Sequence, residues 1–556
     1  MTHKYEFGNI LITIEFLGFP QQILTKVSQK PSYERKRAMS NEHVHSRSGP
    51  CGCCMSKAGG GIDRREFMVG LGAGVAVSGW AMAAMGAVSD MVGEGIYKPA
   101  APVPLKVQPV LTCTLFKRIN QTSWRSWGGF HSEKDIEDEK QRIGRELKKL
   151  SAESEFPLEI LPLITLDNVE QAAQVAKGDH DVLLMYAANS WVNVLEALSD
   201  PKKWTIVFVR HKSGPVYSWY EIAHNRYLRK TVDEYGQPGV DHQDVVVDRL
   251  DEIQWRLRAL FGLKNTLGKK IVAIGGPGGW GAGGQEAPDI TRNLWKMDIQ
   301  TVDYPTLGQL IKKARENTSL VKRSTRSAEQ YLNAGGVSLE TGKEFVINAF
   351  VLTEVFKSLI SEAQTDALTI NDCMGTIMPI SETTACLPLS LLNDSGYTAY
   401  CESDFVVIPS GILLHHISGL PVFLNDPTYP HDGIVTLAHC TAPRKMDGKR
   451  HEPVRILTHF ESDYGAAPKV EMKLGQKVTV IDPDFASKLW LGFEGEIIDN
   501  PFLDICRSQI DVRINGDCDK LIAETKGFHW MACYGNYLKE VGYALKKVGV
   551  NWTNLT

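Results

Sequence analysis

The sequence predicts an α/β protein: two doubly wound parallel-sheet units, then a C-terminal α/β unit that carries an antiparallel β region. Three observations predict it. From residue 110 onward, short apolar runs alternate with segments of helical period. The strand-like KKIVAI (269–274) opens directly into the glycine-rich GGPGGWGAGG (275–284). From 451 to 526 the pattern changes to short strand-like pieces separated by Gly, Pro and Asp turns, with no long helix.

Size and charge set the frame. The 556 residues are 43% apolar and 23% charged, the balance of a folded globular chain. A net charge of −4 with no basic stretch argues against nucleic acid as a partner.

Residues 1–61 read as an N-terminal extension, expected to be disordered. Residues 62–90, IDRREFMVGLGAGVAVSGWAMAAMGAVSD, carry Arg64, Arg65 and Phe67 ahead of an uncharged run ending in small residues. This is the pattern of a twin-arginine-type signal, although Asp63 stands where Ser or Thr is usual. The expected partner is the twin-arginine export machinery. The expected location is periplasmic, membrane-anchored if the run is not cleaved, or cytoplasmic if the signal is unused. Residues 91–108 are rich in Pro and Ala and read as a linker. Of eleven cysteines, Cys51, Cys53 and Cys54 precede the signal; the other eight are scattered and read as free buried thiols.

The first α/β domain is read as 109–265. Its first helix places Ile136, Ile143, Leu147 and Leu150 on one face, with Ser132 as cap. LEILPLI, VLLMY and TIVFVR follow as strands, then a helix from Val247 to Leu260. The second domain is read as 266–345. Gly276-x-Gly278-x-x-Gly281 after a strand, with Asp303 after the next, matches a dinucleotide fingerprint. The loop runs on through AGGQEAPD, whereas a phosphate-binding turn opens its helix within the glycines. A loop lining a cleft or a subunit contact fits it better. The third domain, 346–556, starts at the apolar helix FVINAFVLTEVFKSLI and contains the β-rich part 451–526.

The chemistry concentrates in 397–443. YTAYC, LPVFLN and IVTLA are each followed at once by, or end on, a potential ligand: Glu402, Asp426 and His439. If these runs are parallel strands, their C-terminal ends share one sheet edge and the three side chains converge. Two carboxylates and an imidazole suit a divalent cation of the Mn²⁺ or Mg²⁺ kind, and less selectively Zn²⁺, Fe²⁺ or Co²⁺. Such an ion lets two acids share a site and polarises a carbonyl or hydroxyl oxygen. His415 and His416 lie mid-helix and read as structural.

These residues resemble the L-fucose isomerase family, related in fold to L-arabinose isomerases. The similarity rests on Glu402-Ser403-Asp404, a following helix, and Asp426-Pro427-Thr428-Tyr429 placed 24 residues after Glu402. It extends over 350–443 and 524–550. The resemblance implies Glu402, Asp426 and His529 as metal ligands, with Mn²⁺ the favoured ion. It implies His439 as a further ligand or a substrate contact, and Glu402 and Asp426 as the catalytic pair. Asp404 is expected to support a ligand by hydrogen bonding, and Trp530 and Tyr534 to offer a flat face to a sugar. The implied reaction is aldose–ketose isomerisation of a small sugar through a cis-enediol, in a homo-oligomer. An exported NAD(P)-dependent oxidoreductase and a noncatalytic sugar-binding protein are the alternatives.

Overall fold

The computed structural model describes residues 2–7, 10–15, 97–230 and 232–556. The twin-arginine-type segment 62–90 lies outside the described residues. Within the 1–61 extension, β1 (Thr2–Phe7) and β2 (Ile10–Glu15) pair as an antiparallel hairpin, where no structure is expected. It belongs to a unit of its own.

The main unit begins earlier than the composition implies. β3 (Leu105–Thr112) starts inside the expected 91–108 linker, because Leu105, Val107, Val110 and Leu111 bury apolar side chains in the first core. With β4 (Leu158–Ile160), β5 (Ile164–Leu166), β6 (Val182–Ala187), β7 (Trp204–Val209) and β8 (Val245–Val247) it forms an all-parallel sheet. The order is β4-β3-β6-β7-β8, with β5 also on β3. Helix Glu133–Ala152 packs on it through Ile143, Leu147 and Leu150 and is capped by a Ser132–Asp135 capping box. That cap contributes on the order of 1 kcal/mol. The same helix buries Glu139 against Arg210 and Tyr217, an ionic contact that apolar periodicity does not reveal.

The second sheet is also parallel: β9 (Lys270–Ile274), β10 (Asp298–Val302), β12 (Ala367–Ile370) and β13 (Thr398–Cys401), in the order β10-β9-β12-β13. It therefore spans the division expected at 345/346, and the second and third sequence domains share one sheet. β10 lies to one side of β9 and β12 to the other, so the switch point of the winding falls between β9 and β12.

The antiparallel region divides in two. β11 (Val337–Leu339), β16 (Val454–Leu457) and β17 (Ala467–Val470) form a small mixed sheet. The rest is a closed six-stranded barrel of β18 (Lys477–Pro483), β21 (Trp530–Tyr534), β14 (Phe423–Pro427), β15 (Ile434–His439), β20 (Ser508–Asn515) and β19 (Leu489–Asp499). The β18–β19 pairing closes the ring, and β22 (Asn551–Asn554) runs parallel to β19 outside it. Closure leaves these strands no free edge.

Three large apolar clusters correspond to the first sheet with its helices, the second sheet, and the barrel. Helix Leu250–Thr266 meets helix Ile408–Ser418 so closely that a Cβ on Gly262 would lie 2.3 Å from Ile417 Cγ1. His415 and His416 sit in that second helix, away from the cluster described below. Among the described residues no helix is long and apolar enough to cross a membrane.

Candidate metal centre

β13 delivers Glu402 to the C-terminal edge of the second sheet. Glu402 and Ser403 both take left-handed backbone angles, φ 66° and 47°. For side-chain-bearing residues this costs roughly 1–2 kcal/mol each. The reversal brings Asp404 back beside the glycine loop: Gly278 N donates to Ser403 O at 3.1 Å and Phe405 N to Gly278 O at 3.1 Å. Asp404 Oδ1 then accepts from the amides of Trp280 and Val406, both at 3.1 Å.

The barrel supplies the other wall. Asp426 lies on β14 opposite Ala438 of β15, and His439 ends β15. Convergence therefore holds, but not through the expected parallel edge. β14 and β15 are antiparallel barrel strands, and only β13 belongs to the parallel sheet. His529 precedes β21, and the segment before it is fixed by Asp482, which accepts from Lys526 N at 2.8 Å and Gly527 N at 2.7 Å. His529 Nε2 lies 3.4 Å from Glu402 Oε2 and 3.2 Å from Asp426 Oδ1. His439 Nε2 lies 3.7 Å from Glu402 Oε1. Donor atoms of Glu402, His439 and His529 all fall within 4.8 Å of one another, with Asp426 adjoining.

The second ring nitrogens are engaged elsewhere. His529 Nδ1 donates to Asp404 Oδ2 at 2.7 Å, and His439 Nδ1 faces Thr441 Oγ1 at 3.0 Å. Both Nε2 atoms therefore point inward. His439 Nε2, His529 Nε2 and Asp426 Oδ1 are buried without hydrogen-bond partners. Orphaned polar atoms aimed at one point fit a cation better than they fit one another. Two imidazoles with carboxylate oxygen suit a borderline divalent ion.

The electrostatics agree. Burial alone would push the His529 imidazole down, but Glu402, Asp404 and Asp426 hold it well above its ordinary value. His439 is likewise raised, chiefly by Glu402 against the effect of burial. Burial would raise Glu402, yet the two imidazoles, His529 foremost, bring its carboxyl down. Asp426 is raised, because burial outweighs the imidazoles.

A cavity of about 820 Å³ opens on the cluster where the edges of β9, β12 and β13 meet the barrel. Glu402 and His439 line it; Asp426 and His529 do not, His529 being fully buried behind them. Among the described residues no Lys or Arg lines it. Trp530 and Tyr534, expected at the sugar, are instead buried in the barrel core. Both belong to β21, whose five residues are all buried, and Trp530 packs edge-on against Phe493. The aromatic wall comes from Trp280 of the glycine loop, stacked on Phe528 with centroids 3.8 Å apart. Its place in a loop already read as cleft-lining was the available signal.

That loop keeps its glycines for contact: a Cβ on Gly279 would lie 2.0 Å from Gly284 O. Apart from a single 3₁₀ turn at Ala282–Gly284, the next α-helix starts only at Ala287, and Asp303 caps helix Tyr304–Glu316 through Thr306 N. Neither feature favours a dinucleotide. No protein-family model matches the chain, and no curated protein does.

Proposed function

We propose that the protein is a metal-dependent sugar isomerase interconverting an aldose and a ketose, similar in chemistry to L-fucose and L-arabinose isomerases. The observation that carries this reading is the convergence of Glu402, His439 and His529 on one point, with Glu402 facing a cavity that no described Lys or Arg lines. These three, with Asp426 alongside, would hold a divalent ion, Mn²⁺ being our choice. Bound there, the ion would act as a Lewis acid on adjacent sugar oxygens.

The protein's own groups do the proton work. Glu402 is the carboxylate that both joins the cluster and lines the cavity, so it takes the C2 proton of the open-chain aldose. Glu402 returns that proton at C1 of the cis-enediol, while the O2 hydroxyl proton passes to O1, leaving the C2 carbonyl of the ketose. Asp426, the other carboxylate of the expected pair, does not line the cavity and orients the cluster from behind, its Oδ1 3.2 Å from His529 Nε2. Trp280 presents an apolar face to the carbon skeleton. A cavity that no described Lys or Arg lines suits a neutral sugar.

Export through 62–90 and assembly into a homo-oligomer belong to the same reading. The test incubates purified protein with Mn²⁺ or Co²⁺ and a panel of free aldoses, followed by colorimetric ketose detection. Metal-dependent ketose is expected. Protein that binds the ion yet yields no ketose from any sugar would overturn the isomerase. NADH fluorescence on binding would favour the oxidoreductase, and sugar-induced thermal stabilisation without product the binding protein.

A further inference from the structure

Five of the eight described cysteines, Cys373, Cys386, Cys401, Cys440 and Cys506, line the cavity of the metal centre. Thiols used merely as small apolar side chains have no reason to gather on one cavity wall. Cys386, Cys440 and Cys506 form a small buried cluster with Ala438 and Ala467. Cys440 is its hub, its thiol hydrogen-bonded to those of Cys386 and Cys506. The cluster is not arranged as a soft-metal site. Among the described residues the one group of three donors close enough to share a cation is Glu402, His439 and His529, and no thiol belongs to it. The thiols meet pairwise, as a disulfide requires.

We propose that Cys386 and Cys440 are an oxidation site, forming a reversible disulfide across the cavity wall that disturbs the neighbouring cation ligand. Cys386 opens helix Cys386–Asp394 and Cys440 directly follows β15, so the bond would staple the helical layer of the second sheet to the barrel. The two segments are already registered. Ser390 Oγ donates to Ala442 O at 2.7 Å, and Asp394 Oδ1 accepts from Arg444 N and Lys445 N at 2.8 and 2.7 Å. These bonds hold the two segments side by side where Cys386 and Cys440 share one buried cluster.

The oxidant is a peroxide small enough to enter the cavity. The Cys440 thiol reacts with H₂O₂: an S–O bond forms, the O–O bond breaks, and sulfenic acid and water result. The Cys386 sulfur then attacks the Cys440 sulfur; S–S forms, S–O breaks, and the hydroxyl leaves as water with the Cys386 proton. Two thiols and one peroxide yield one disulfide and two waters. Two equivalents of a small thiol reverse it by exchange. Closing the sulfurs to about 2.05 Å pulls on Cys440. His439 is the residue before it and moves with it. This second step rests on the metal-centre reading, whereas the oxidation does not.

The full chain, purified reduced and metal-free, is treated with a few equivalents of H₂O₂, blocked with N-ethylmaleimide and mapped without reduction. A mass loss of about 2 Da, a peptide pair joining Cys386 to Cys440, and reversal by dithiothreitol are expected. Mapping on the wild-type chain needs no variant to fold. In C386S the pair is lost, and peroxide no longer weakens Co²⁺ binding. In the oxidised wild type, Co²⁺ affinity falls at least tenfold. No linkage, or linkage only between other cysteines, overturns the oxidation site. Linkage with unchanged Co²⁺ affinity overturns its effect on the ligand. No sugar enters the assay, so failure of the isomerase reading would leave these results standing.

Discussion

The His529 ring donates from Nδ1 to the Asp404 carboxylate at 2.7 Å, which leaves its Nε2 facing Glu402 and Asp426. Asp404 Oδ1 is already occupied by the amides of Trp280 and Val406. One short side chain therefore ties the glycine loop to the tautomer of a candidate cation ligand.

Asp404→Asn tests that coupling. The two backbone amides keep the amide oxygen on their side, so the NH₂ group meets His529 Nδ1. The ring then accepts there and carries its proton on Nε2, where it blocks coordination. Titration calorimetry with Mn²⁺ or Co²⁺ should show affinity reduced about 10–100-fold, with circular dichroism unchanged. Unaltered affinity would show that the tautomer is fixed by other means.

Glu402→Gln removes the proposed proton acceptor while keeping the shape of the side chain. Ketose formation should drop by at least about 100-fold in protein that remains folded. Retention of most of the turnover would remove Glu402 from the chemistry.

Metal and pH should act together. The folded pKa values of His439 and His529 are raised, against burial, by the carboxylates around them. In metal-free protein this stabilisation is fully present below the unfolded value of about 6.5 and is lost as pH rises through the folded values. A cation competes with those protons for the same Nε2 lone pairs. The rise in melting temperature on adding Co²⁺ should therefore be larger at pH 8 than at pH 6, by scanning calorimetry at fixed metal concentration. An equal rise at both would mean that the imidazoles are not the ligands.

Asp394 provides a stability test away from the cation. Burial raises its carboxyl to about 6 against the two amides that favour its charge, and Oδ2 has no partner. A raised carboxyl stabilises most below its unfolded value of about 3.8, and that contribution is lost as pH climbs through about 6. About two units correspond to roughly 3 kcal/mol at neutral pH. Asp394→Asn keeps the doubly accepting oxygen. Urea unfolding should find the variant more stable than the parent at pH 8, with the advantage shrinking towards pH 4. A pH-independent difference would contradict the assignment.

The alternation of apolar runs with helical segments made both parallel sheets legible, and the ligand after each of three strand-like runs made the cluster legible. The hand of the pairing was not. LPVFLN and IVTLA are apolar on both faces, and a strand enclosed in a barrel looks the same in sequence as one inside a parallel sheet. The winding order β10-β9-β12-β13 also defeats a boundary drawn along the chain, because β9 pairs with a strand nearly a hundred residues away. Trp530 and Tyr534 were misread because nothing local separates an aromatic facing a core from one facing a cavity. The thiols were missed because they come from five separate segments and share no spacing.

The barrel's ring is sealed when β21 enters between β18 and β14, bonded to both. The residue just ahead of that strand is His529. A nascent chain still short of this segment has neither a finished barrel nor the last of the four residues proposed to hold the ion, so on that reading the full ligand set exists only once nearly the whole protein has been made. On the same reading, an ion seated by all of these groups could not template the earliest steps of folding.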